Sequence, residues 1–201
     1  AKGFFDVVAY TGNGTAGHTV NHSLGVVPEM IWVKSRSNGE NWQIYYGDET
    51  DYLVLNTTAA TADHVNRWND TAPTDSVFTV GTTGEVNGNT WTFVTYLFAT
   101  LAGISKVGSY TGTGGTMTID CGFSNGARFV LIKCTTDAED WAMWDTARGI
   151  TAGDDPRLRL NVANAQDSAD YLDPHSSGFK VNGGAGLHAV LNREYIFLAI
   201  A

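Results

Sequence analysis

Apolar residues in this chain fall in short runs rich in Val, Ile, Thr and aromatics, each fenced by Gly, Asn or Asp. Runs of this length, with side chains alternating between two faces, are the pattern of β-strands. In the first half they predict strands over Phe5 to Tyr10, His18 to Leu24, Met30 to Lys34, Trp42 to Tyr46, Tyr52 to Leu55, Val77 to Val80 and Trp91 to Ala99. Met30 to Lys34 and the later Phe129 to Ile132 are apolar on both faces, which marks central strands covered on both sides. Residues that tolerate positive φ signal turns at Gly12-Asn13-Gly14, Ser37-Asn38-Gly39, Asn87-Gly88-Asn89, Asn125-Gly126 and Asn182-Gly183-Gly184. Helical patterning is thin: Ala59 to Trp68 and Ala163 to Tyr171 could each form a turn or two, without a clear cap or stripe.

The pattern is written twice. Tyr10-Thr11-Gly12-Asn13-Gly14 returns as Tyr110-Thr111-Gly112-Thr113-Gly114, and Met30-Ile31-Trp32-Val33-Lys34 as Phe129-Val130-Leu131-Ile132-Lys133. Trp42 is echoed by Trp141, Leu55-Asn56 by Leu160-Asn161, Phe78-Thr79-Val80 by Phe179-Lys180-Val181, and Phe93 through Ala99 by Tyr195 through Ala201. A period of about 100 residues is too long for a solenoid turn or propeller blade and fits a small domain in tandem. The expected fold is all-β, a tandem pseudo-repeat of two antiparallel β-sandwich halves packed together, with residues 1–100 and 101–201 as the two repeats. The apolar junction Phe98 to Ile104 suggests that the halves could even share a sheet. What recurs is expected to be scaffold; what occurs once is where an activity could have been added.

Charge narrows the partners. The 201 residues include 21 acidic and 12 basic side chains, a net charge of −9. That is the wrong sign for neutralising a phosphate backbone or anionic lipid, so nucleic acid and membrane are not expected partners. Cys121 and Cys134 stand where the first half has His22 and Ser35, so any disulfide would lie outside the shared architecture, and two thiols fix neither a bond nor a compartment. No apolar run reaches the length of a membrane span, which predicts a soluble domain.

Several motifs invite a chemical reading and lose it in context. Gly12-Asn13-Gly14-Thr15-Ala16-Gly17 spells G-x-G-x-x-G, but the alternating His18-Thr19-Val20-Asn21-His22 follows where a dinucleotide site needs a helix, so a hairpin turn is expected. On a strand His18 and His22 would lie ~13 Å apart, too far for one zinc ion, and no metal or cofactor is expected. The acidic groups Asp48-Glu49-Asp51, Asp137-Glu139-Asp140 and Asp154-Asp155 lack the order of a calcium loop and suit turns. There is no G-x-S-x-G elbow and no P-loop, and nothing selects a carboxylate pair for glycoside hydrolysis. No catalytic residue is assigned.

Aromatics are the class with ligand-binding potential, because flat rings stack on the apolar face of a sugar. Trp42 and Trp141 recur and are assigned to the core; Trp32 lies in a buried strand. Trp68 and Trp91 have no Trp counterpart and lie beside polar segments, so they are the candidate ligand-binding residues, with Tyr45 and Tyr46 as weaker ones.

With these words laid out, the chain resembles a two-copy domain of tailed-bacteriophage tail-fibre and other virion structural proteins. The resemblance rests on His22-Ser23-Leu24-Gly25-Val26-Val27-Pro28-Glu29-Met30-Ile31-Trp32-Val33-Lys34, Leu55 to Ala60, Trp68-Asn69-Asp70-Thr71-Ala72-Pro73 and Tyr96-Leu97-Phe98-Ala99. In the second half it rests on Gly108 to Gly112, Gly122-Phe123, Phe129 to Lys133 and Ser177-Gly178-Phe179-Lys180, and so covers the whole chain. The chain departs from the pattern at Ser124-Asn125-Gly126-Ala127, where a proline turn is expected, and at Cys134, where a charged residue is usual. The resemblance implies a noncatalytic component of the virion surface, a tail-fibre or receptor-binding module in a homotrimer, with other virion proteins and a host surface glycan or protein as partners. Two other readings stay open: a purely architectural capsid decoration, head fibre or tail component, and a glycan depolymerase.

Overall fold

The computed structural model describes residues 2–183 and 188–201 and is built almost wholly of antiparallel strands. Of the expected turns, the Gly184 end of the Asn182 turn lies outside the described residues. The chain divides into two compact units, Ala1–Asn56 with Thr61–Thr100, and Thr57–Ala60 with Leu101–Ala201. Each sheet draws its strands from one unit, so the expectation of a shared sheet is not met.

The first unit contains β1 (Phe5–Thr11), β2 (His18–Asn21), β3 (Met30–Ser35), β4 (Gln43–Tyr45), β5 (Asp51–Val54), β6 (Ala62–Asp63), β7 (Val77–Val80), the single-turn helix α1 (Gly84–Asn87) and β8 (Thr92–Phe98). Six of these form a sheet in the order β1-β8-β3-β4-β5-β6, and β2 pairs with β7 in a second, smaller sheet. Alternation along β3 and β8 sends Ile31, Val33, Phe93 and Leu97 to the face that meets Val20, Phe78 and Val80 from the small sheet. Burying each such side chain is worth ~1.5–3 kcal/mol, and these contacts hold the layers together. Both faces of β3 carry buried residues, since Met30 is as buried as Ile31.

The second unit contains β9 (Ser105–Thr111), β10 (Met117–Asp120), β11 (Phe129–Cys134), β12 (Ala142–Asp145), β13 (Asp155–Arg159), β14 (Asp167–Ala169), β15 (Leu172–His175), β16 (Gly178–Val181) and β17 (Glu194–Ile200). Its large sheet runs β9-β17-β11-β12-β13-β14, the same order of equivalent strands, and the small sheet is β10-β16-β15. Val130, Ile132, Tyr195 and Phe197 face Ile119, Leu172, Phe179 and Val181 across the core. Cys121 and Cys134 are free thiols buried in that core.

The recurring words mark recurring bonds. Lys34 Nζ donates to Glu40 O at 2.7 Å, and Lys133 Nζ to Glu139 O at 2.8 Å, closing the turn that follows each central strand. In that turn Asn56 Nδ2 donates to Asn41 Oδ1 (2.7 Å) while its Oδ1 accepts the Trp42 N–H (3.0 Å). Asn161 does the same with Asp140 Oδ1 (2.7 Å) and the Trp141 N–H (2.9 Å). The Leu-Asn echo is therefore a side-chain staple between neighbouring strands.

The Tyr-Thr-Gly-x-Gly word proves not to be a hairpin turn. β1 and β2 lie in different sheets, so Gly12 to Gly17 is the crossing from one layer to the other. Glycine is required by close approach: a Cβ on Gly12 would lie 2.4 Å from Gly88 O, and one on Gly112 2.0 Å from Val190 O. The crossing in the first unit is organised by Asn87, which is 0% exposed. Its Oδ1 accepts from Asn13 N–H (2.9 Å) and His18 Nδ1 (3.0 Å), and its Nδ2 donates to Thr15 O (2.9 Å) and Gly81 O (2.7 Å).

Neither segment forms a helix longer than a single turn. Ala59 to Trp68 contains β6 and a turn closed by Asn69 N–H to Val65 O (2.8 Å), which the left-handed Asn69 and Asp70 terminate. Ala163 to Tyr171 instead supplies β14. Replacing Asn87 by Ala strands several buried partners at once, and urea denaturation should show a loss on the order of 3 kcal/mol; a loss below about 1 kcal/mol would mean the crossing holds without it.

Candidate functional site

Three of the four aromatics assigned to binding gather around Asp51, as scaffold. Trp68 is 2% exposed and its Nε1 donates to Asp51 O at 2.9 Å. Tyr45, 4% exposed, meets the Trp68 ring edge-on at 5.9 Å between centroids. Tyr46 donates to Asp51 Oδ2 (3.3 Å) and shares a 2.7 Å hydrogen bond with Thr61 Oγ1; burial pushes its phenol up to about 12. Trp91 lies apart and half-buried, against Gly84 of α1 and the Gly88 that caps it, where a Cβ on Gly88 would fall 2.2 Å from its ring. The assignment of Trp68 and Tyr45 as exposed platforms is thereby corrected: their faces are spent on the core. Among the recurring tryptophans, Trp141 is buried as expected, whereas Trp42 is half-buried and stacks on Tyr96.

Charged groups are similarly committed. In the first unit Arg67 makes a bidentate pair with Glu85 (2.7 and 3.1 Å) and lies 4.6 Å over the Tyr52 ring. In the second, Arg157 pairs with Asp167 through Nε (3.1 Å) and Nη2 (2.8 Å) while stacking 4.1 Å over Tyr171. Arg159 joins Asp167 to Asp140, and the hydrogen bonds from Arg157 hold the Asp167 carboxyl below its ordinary range. The buried Asp155 carboxylate accepts the N–H groups of Thr151 (2.8 Å) and Leu172 (3.0 Å). Arg157 Nη1 donates to His188 Nε2 at 3.3 Å, so this ring is neutral, and it packs edge-on against Trp144 at 5.1 Å. Burial first, then the two arginines, push His188 down to about 3. Among the described residues no group of His, Cys, Asp and Glu is placed to hold a metal ion.

A different feature has the shape of a binding site. At one end of the second unit the loops holding Asn125-Gly126-Ala127, Thr146 with Ile150, and Pro174-His175-Ser176 enclose a cleft of ≈ 230 Å³. Its walls are fixed by backbone bonds: Gly126 N–H to Ser176 O (2.8 Å), Ala127 N–H to Gly178 O (2.9 Å) and Thr146 N–H to Arg128 O (2.9 Å). His175 Nδ1 accepts the Ser177 N–H at 3.3 Å and lies 3.1 Å from Ser177 Oγ. Sequence reasoning passed over this place, although the departure at Ser124 to Ala127 was the signal for it.

The sequence matches a family described as a domain of unknown function (DUF7483) over residues 1–201, and the chain belongs to that family. No curated protein and no solved structure matches it.

Two measurements follow from the buried groups. Trp68→Ala should cost ~3–5 kcal/mol in chemical denaturation, as for any large core side chain; an unchanged midpoint would return Trp68 to the surface. For His188 the unfolded ring takes a proton below its ordinary 6.5 while the folded ring stays neutral to about 3. Stability is thus complete above pH 6.5 and falls as pH drops toward 3, by on the order of 5 kcal/mol in total. His188→Gln, which keeps a neutral acceptor for Arg157, should flatten that slope in melts taken at successive pH values, and an unaltered slope would show that other groups set it.

Proposed function

We propose that this DUF7483 domain is a noncatalytic module of the tailed-phage virion surface, a tail-fibre or receptor-binding element that adheres to a host surface glycan or protein. The observation that carries the reading is the loop cleft of the second unit, whose polar side chains sit on loops anchored to a rigid sandwich. Sheets that hold loops toward a ligand are a common way to display a binding surface. The resemblance to phage fibre domains supplies the setting, and the net charge of −9 suits neither nucleic acid nor an anionic membrane. A noncatalytic role is favoured because Glu85, Asp140, Asp155 and Asp167 are each tied to an arginine or to backbone amides. Small single sites become useful when repeated, so a homotrimer with three copies would gain avidity.

One observation favours the architectural alternative. Val26 and Val27, the latter 51% exposed, stand side by side on a loop of the first unit and would suit contact with another virion protein. Labelled domain applied to a panel of bacterial strains distinguishes the two, with light scattering to fix its oligomeric state. Saturable binding to some strains is expected. A folded domain that binds none of them, but is retained by virion proteins through Val27, would establish the architectural role instead.

A further inference from the structure

We infer that the cleft formed by the 124–127, 146–150 and 174–176 loops is a subsite for a single residue of a neutral sugar. This deepens the adhesion reading, and rests on it for the biological partner though not for the binding chemistry. Three side chains line the cleft with uncharged groups able both to donate and to accept, the Thr146 and Ser176 hydroxyls and the Asn125 carboxamide, and the His175 ring adds a further polar edge. Such groups complement hydroxyls, which also do both. The lining holds no Lys or Arg to select a phosphate or carboxylate. Ile150, Pro174 and Ala127 supply apolar surface of the kind that meets the C–H face of a pyranose. At ≈ 230 Å³ the cleft is smaller than the ~300–1,000 Å³ of drug-sized sites, a fit for one ring of a longer chain.

The equivalent loop of the first unit shows what has changed. Both loops are pinned by the same backbone bond, His22 N–H to Ser76 O in one and Cys121 N–H to Ser177 O in the other, each 2.8 Å. Counting from that bond, Val26-Val27-Pro28 occupy the places of Asn125-Gly126-Ala127. The second unit thus has smaller and more polar residues where the first has bulk. Gly126 is indispensable there: its φ is +79° and a Cβ would lie 2.8 Å from His175 O. The cleft is space opened on a scaffold whose anchor is retained.

The test is an amide-resolved NMR titration of the whole domain with glucose, galactose, N-acetylglucosamine and rhamnose, each taken to about 100 mM to fill a weak site. At least one sugar is expected to give saturable shifts at the Asn125, Gly126, Thr146 and Ser176 amides. Asn125→Val, which copies Val26, and Thr146→Val should each weaken that sugar about fivefold, the loss of one hydrogen bond. Their unperturbed amide spectra elsewhere would show that the fold is intact. Absence of shifts at these amides with all four sugars overturns the inference, as does parent affinity in both variants. Adhesion to cells that persists in the double variant would refute the cleft and leave the adhesion reading standing. Sugar binding by a domain that adheres to no strain would support the cleft and refute adhesion.

Discussion

A lysine ammonium on the central strand of each large sheet, donating to a main-chain carbonyl six residues later, is the constraint from which the rest of each unit follows. Lys133 is 0% exposed, and burial pushes its ammonium below the ordinary range. Such a group is tolerated only when its protons find acceptors. The loop after β11 must therefore fold back until Glu139 O faces it, and the loop after β3 does so for Lys34 through Glu40 O. Once that turn is closed, the chain leaves it in register for the next strand. The Asn56 and Asn161 carboxamides then lock that strand to its neighbour. Order in the outer strands depends on this inner knot.

Much of this was legible in the sequence because strand alternation is a local signal. β7 matches its expected range, and β1, β3 and β8 agree within a residue or so at each end. Failures came where local pattern has no period. Val65 to Asn69 does close one helical turn, but the left-handed Asn69 and Asp70 stop it, and nothing in the apolar spacing reveals that. The helix α1 is four residues long, below the length at which a stripe can show. The glycine words read as turns, yet whether a turn joins neighbours in one sheet or crosses between layers is decided by distant partners such as Asn87.

The burial of Trp68 and Tyr45 has an instructive cause. Trp68 has no tryptophan counterpart in the second half, and its ring nonetheless lies in the core. Both cores bury large rings of their own: Tyr45 packs on Trp68 in the first, and Trp144 packs on His188 and Tyr171 in the second. A residue that occurs in one half alone can therefore belong to that half's own packing. The loop cleft escaped notice for the opposite reason. It arises from residues that are small, and missing bulk leaves no mark in a search for chemically rich side chains.

The second unit also includes the four residues Thr57–Ala60, far from the rest of it in sequence, and Thr58 O accepts a second hydrogen bond from Lys133 Nζ at 3.0 Å. The boundary between the two units therefore does not fall at a single point in the sequence. A gene cut at the repeat boundary would make a second half whose buried ammonium has lost an acceptor. Glu139 O would then be left to hold that ammonium from within the 101–201 segment.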